Sequence, residues 1–161
     1  MVIKLLKWQN KKYDKSKQVH LLNMLSKTCL ELEEMAKTLV YLENGLLSAQ
    51  KNKEVQGEGG LLLQLGNTHQ GNNENDQAAI YFEDALELSK KIGSRELEGE
   101  ALWKICLGLG NQEKFTEASE RTNEVLKIYE ETQHPDSMTV RPQIIKWGET
   151  STMVDNENTP D

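Results

Sequence analysis

The residues that could do chemistry are few and scattered. The stretch LGNTHQGNNENDQAAIYFEDAL, residues 65–86, gathers Gly71, Asn72, Asn73 and Asn75 behind His69. Amide and carboxylate oxygens can ligate hard cations, and glycine-rich turns can cradle phosphate. Here neither the ligand set nor the motif spacing of such sites is present. The three histidines, His20, His69 and His134, stand far apart. Cys29 and Cys106 fall on apolar stripes with nothing beside them to favour a thiolate, so they read as buried thiols. The run Glu31, Glu33, Glu34 reads as a solvated face. No P-loop, dinucleotide fingerprint, HExxH or CxxC occurs. The expectation is a protein without catalytic, cofactor-binding or metal-ligating residues, and so not an enzyme.

The organisation that carries these residues is an internal repeat. Shifting the chain by about forty residues lays Val40-Tyr41-Leu42-Glu43 on Ile80-Tyr81-Phe82-Glu83. Leu22, Leu62 and Leu102 coincide, as do Leu25, Leu65 and Ile105, then Ser26, Gly66 and Cys106, and Ala78 with Ala118. Large residues fall on large and small on small through three units. In the middle unit Leu62, Leu65 and His69 share one helical face, and Ala78, Phe82, Ala85 and Leu86 share another. Gly71-Asn72-Asn73 then reads as the turn of a helical hairpin, ending one helix and capping the next. Gly93 and Ser94 punctuate the next joint as stop and N-cap. Gly59-Gly60 weakens helix propensity, which predicts a frayed or late start there.

The units are drawn at 18–57, 58–97 and 98–131. Residues 1–17, with Leu5, Leu6 and Trp8, match the second helix of a unit and read as an incomplete repeat or a capping helix. His134-Pro135-Asp136 breaks the pattern. Residues 137–147 read as a short closing helix, with Pro142 allowed only in its first turn. Residues 148–161 carry four acids and no Lys or Arg and read as a disordered acidic tail.

The chain has 161 residues and a formal net charge of −7, with 37% apolar residues. Six lysines against Asp14 make residues 1–17 net +5, which leaves −12 on the remainder. Such a balance disfavours nucleic acid, which needs a basic surface. No apolar run is long enough to span a bilayer. Two cysteines build no disulfide framework and suit a reducing, cytoplasmic compartment.

In the middle unit the order Leu62, Leu65-Gly66, His69, Ala78, Phe82, Ala85 resembles the tetratricopeptide repeat. The third unit gives Leu102, Ile105-Cys106, Leu109, Ala118, Thr122, Val125, and the first gives Leu22, Leu25-Ser26, Cys29, Thr38, Leu42, Gly45. The period of forty, with LGNTH and IGSRELEGEAL, is similar to the long-helix subgroup of kinesin light chains and Leu-Gly-Asn repeat adaptors. The resemblance implies an all-α, right-handed superhelical solenoid of antiparallel helix pairs, with about three units plus an N-terminal half unit. It implies repeat packing through Leu22, Leu25, Leu62, Leu65, Gly66, Ala78, Phe82, Ala85, Leu102, Ile105 and Ala118. It also implies a concave groove lined by Asn23, Lys27, Leu63, Asn67, Gln70, Trp103 and Leu107, with His20, Leu30, Gly60, Glu100 and Gly110 at the remaining groove positions. The expected function is a non-enzymatic scaffold or adaptor holding a partner peptide or helix, without cofactor. A structural subunit of a cytoskeletal, motor or ciliary assembly, self-associating through the N-terminal half repeat, is the alternative, and a piece of a larger regulatory protein a third.

Overall fold

The computed structural model describes residues 15–32 and 34–157. Among the described residues seven α-helices follow one another: α1 (Lys15–Glu31), α2 (Met35–Asn52), α3 (Val55–Gly71), α4 (Asn75–Ile92), α5 (Arg95–Asn111), α6 (Phe115–Glu131) and α7 (Ser137–Glu157). No strand occurs among the described residues. Each helix packs on the next, so α1–α2, α3–α4 and α5–α6 form three antiparallel hairpins and α7 packs against α6. The first helices begin at Lys15, Val55 and Arg95, and the second at Met35, Asn75 and Phe115. Both series step by forty residues, the period found in the sequence. Each hairpin begins three residues before the boundary drawn at 18, 58 or 98, because its first turn is too polar to show in an apolar match.

The joints repeat as well. Lys53 (φ 58°), Gly93 (69°) and Gln133 (54°) take left-handed backbone between hairpins, and Asn73 (63°) and Glu113 (62°) take it within them. The next amide then reaches back along the helix just ended. Glu54 N–H donates to the Ala49 carbonyl at 2.9 Å, Ser94 N–H to Ser89 at 3.0 Å and His134 N–H to Tyr129 at 2.8 Å. These bonds satisfy carbonyls that the helix end would leave bare. The Asn-rich patch is such a turn, since α3 ends at Gly71 and α4 starts at Asn75. Asn73, whose short amide tolerates the left-handed region, makes the bend.

Leu62, Leu65, Gly66, Ala78, Phe82, Ala85, Leu102, Ile105 and Ala118 are all buried, whereas Leu22 and Leu25 are half-buried. The difference follows from position in the stack. Leu61 and Ala101 are 1% and 0% exposed beneath the preceding hairpin, while the matching Leu21 on α1 is 50% exposed. At Gly66 α3 lies close against α4: a Cβ there would lie 2.3 Å from Phe82 Cε1.

Three expectations need correction. First, α3 does not start late at Gly59-Gly60; it begins at Val55 and runs through both glycines. Gly59 is buried beneath Leu97, whose Cδ2 would stand 2.4 Å from an added Cβ, so packing overrides local propensity. Second, Pro142 is the sixth residue of α7 and not in its first turn. The carbonyl that its ring leaves unpaired belongs to Met138, a residue 78% exposed and open to water. Third, α7 does not stop at 147; it continues to Glu157 over most of the segment read as a disordered tail. No proline follows Gly148 until Pro160. Residues 1–14, which hold Leu5, Leu6 and Trp8 of the half repeat, and residues 158–161 lie outside the described residues.

One ionic contact ties the third hairpin at its open end. The Arg95 guanidinium donates to Glu98 and to Glu131, both at 2.7 Å, joining the start of α5 to the end of α6. The Arg95 hydrogen bond holds the Glu131 carboxyl below its ordinary range. A carboxylate lowered in the folded state contributes stability above its unfolded pKa of about 4.3, and the contribution is lost as pH falls through the folded value. Glu131→Gln is therefore expected to flatten the acid limb of a Tm-against-pH curve below about pH 4.3 while barely moving Tm at pH 7, since the pair is exposed. A variant whose acid limb matches that of the parent chain would show that the contact carries no stability.

Candidate binding groove

The first helices of successive hairpins touch directly, α1 with α3 and α3 with α5. Among the described residues no comparable contact joins α2 to α4 or α4 to α6. A stack of hairpins curves toward the side on which its helices are closer, so α1, α3 and α5 line the inner face. On that face His20, Lys27, Asn67 and Glu100 are exposed, and Asn23, Gly60, Gln70, Trp103, Leu107 and Gly110 are half-buried. Leu30 is 45% exposed. Leu63 is 7% exposed and belongs to the core. The Asn23 Oδ1 is buried and accepts no hydrogen bond, a cost of about 1–3 kcal/mol that a donor would remove.

The third unit holds a feature that the sequence does not announce. Trp103 packs against Trp147 of α7, with ring centroids 6.0 Å apart and planes tilted by 43°. The Trp147 indole also lies over Gly110, where an added Cβ would come within 2.5 Å of its Cζ2. Trp103 is thus engaged within the chain. The available signal was Gly110 itself, a glycine where the earlier units have Leu30 and Gln70.

The chemistry-bearing residues are placed as packing groups. His69 Nδ1 meets Glu74 Oε2 at 2.5 Å, and its ring stacks on Tyr81 at 5.3 Å. His134 stacks on Tyr129 at 4.1 Å, and its Nδ1 accepts from the Asp136 N–H at 3.2 Å. Burial raises the Tyr129 hydroxyl above its ordinary range. Cys29 and Cys106 are free and buried, and burial pushes the Cys106 thiol up, away from nucleophilic thiolate. Among the described residues no three His, Cys, Asp or Glu side chains gather as a metal ligand set. No helix there is long and apolar enough to cross a membrane.

No protein-family model and no curated protein matches the chain. Solved structures do. The apo form of RapI superposes with a TM-score of 0.83 at 14% identity, over 93% of this chain and 55% of RapI. Aspartyl phosphate phosphatase F from Bacillus subtilis gives 0.80 at 12% identity, over 90% of this chain and 38% of its own. A kinesin light chain from Podosopora anserina with nearly identical TPR-like repeats gives 0.69 at 12% identity, over 92% and 74%. The fold is a tetratricopeptide-like solenoid. This solenoid spans about half of RapI and less of the phosphatase, and at these identities the likeness is one of fold.

Proposed function

We propose that this solenoid is a non-enzymatic, cytoplasmic interaction scaffold that holds a partner peptide or helix against the inner face of α1, α3 and α5. The direct contact of α1 with α3 and of α3 with α5 carries the reading, because it makes one continuous surface of three helices. Lys27, Asn67 and Gln70 would supply polar contacts from successive helices, and Asn23 would receive a backbone N–H at its bare Oδ1. Leu63 would set the floor from within the core, and Leu107 and the Trp103 edge left by Trp147 would give apolar contact. One structural neighbour is named a phosphatase, but the buried thiols here suit packing.

The test is a peptide library panned against the full chain, with the selected peptides measured on Asn67→Ala. Asn67 is exposed, so the variant should keep its Tm and lose about tenfold in affinity, on the order of one good hydrogen bond. Equal binding by parent and variant would move the ligand off this face. A second reading, stacking end to end in an assembly, is favoured by Leu21 and Met24. These are 50% and 55% exposed on α1. Leu21→Lys should then shift a light-scattering mass toward monomer.

A further inference from the structure

We propose that the recess between α4 and α5 is a socket for an aromatic side chain that carries a carboxylate beside it. The proposal rests on the groove reading, since Gln70 belongs to both, and it names the chemistry of the partner. The recess encloses about 270 Å³ between Gln70 and Phe82 on one hairpin and Ile105 on the next. Its floor is apolar: Ala78 and Phe82 are 2% exposed and Ile105 is 9%.

The repeat shows what such a recess takes. A second recess of about 200 Å³ is lined by Leu30, Thr38, Leu42 and Thr68. These stand forty residues before Gln70, Ala78, Phe82 and Gly108, so the two recesses are one site in successive units. At the third occurrence Gly110 replaces Gln70. Helix α7 begins forty-two residues after α5, so Trp147 takes the place that Ile105 holds in α5. The Trp147 indole reaches from that wall onto Gly110 and is 4% exposed. The chain thus fills the third recess with an aromatic ring of its own; the earlier two have the smaller Leu65 and Ile105 on the wall of Trp147, and Leu30 and Gln70 where the third has Gly110.

The rim sets the charge. Arg121 is paired with Glu83 at 3.5 Å. Lys104 and Lys114 line the recess and form no ion pair among the described residues, with Asp76 as the remaining acid. Two ammonium groups beside an apolar floor favour a ring with a neighbouring carboxylate.

The experiment titrates the full, nitrogen-15-labelled chain with N-acetyl-tryptophan, its carboxamide and N-acetyl-leucine. N-acetyl-tryptophan should shift the amides of Ala78, Ala79, Ile105 and Gly108 with a roughly millimolar Kd, as expected of a small ligand. The carboxamide should bind several-fold more weakly, and N-acetyl-leucine about tenfold more weakly. The pair Gln70→Gly and Ile105→Trp, which copies the third recess, should abolish the shifts. Should that variant fail to fold, Lys104→Ala with Lys114→Ala should erase the difference between acid and carboxamide. Shifts centred elsewhere, equal affinities for tryptophan and leucine, or no shift at concentrations roughly ten times the expected Kd would each overturn the socket. Peptides from the panned library that bind the plugged variant normally yet fail on Asn67→Ala would overturn the socket and leave the groove standing.

Discussion

Phe82→Ala is expected to cost about 3–5 kcal/mol, the largest single effect among the hairpin contacts. Phe82 is 2% exposed and is the ring against which α3 presses Gly66. In a chain of this size the loss should lower Tm by roughly 10 °C, read by circular dichroism. The sharper prediction concerns its partner. Gly66→Ala alone should destabilise by about 1–3 kcal/mol, because an added Cβ 2.3 Å from the Phe82 ring must push the two helices apart. Ordinary helix propensity has the opposite sign and favours Ala by about 1 kcal/mol. With Phe82 truncated the clash is gone, and the same substitution should become stabilising by up to about 1 kcal/mol. A double-mutant cycle measures this reversal. If Gly66→Ala destabilises equally in both backgrounds, the contact with Phe82 is not why glycine stands there.

That pair also shows what was legible in the sequence. Small opposite large at Gly66 and Phe82, repeated as Ser26 and Leu42, marks where two helices cross, and the period of forty could be counted directly. The same period governs the left-handed joints at Lys53, Gly93 and Gln133. Only Gly93 announced itself, because Lys and Gln carry no turn signal of their own. Gly59 misled for a related reason. Its local effect weakens a helix, but its contact with Leu97, thirty-eight residues away, needs the missing side chain. Propensity is read from neighbours in sequence and packing from neighbours in space. Of the residues assigned to the groove, Lys27 and Asn67 stand exposed on α1 and α3, whereas Leu63 lies in the core. What covers Trp103 was not legible, because Trp147 comes from a helix two residues out of register with the repeat. The turn His134-Pro135-Asp136 precedes that helix, and Pro142 lies within it.

Trp147→Ala is the second large effect, about 3–5 kcal/mol, and its location is the informative part. In a stacked array each unit is held by its neighbours, so a lesion at one end stays near that end. Amide exchange should lose protection in α7 and along α6, while α3 and α4 keep theirs. The tryptophan emission of the variant should shift to the red, since Trp103 loses the ring that lies 6.0 Å away. Gly110→Ala should act in the same direction by about 1–3 kcal/mol, because its Cβ would meet the indole at 2.5 Å. Ile145→Ala, on the same helix but 62% exposed, should change stability by no more than about 0.5 kcal/mol. A uniform loss of protection across all hairpins would show that the chain melts as one unit and that α7 is no separable cap. A local loss would make α7 a lid on the third recess. The inner face near Trp103 would then open without disturbing the first two hairpins.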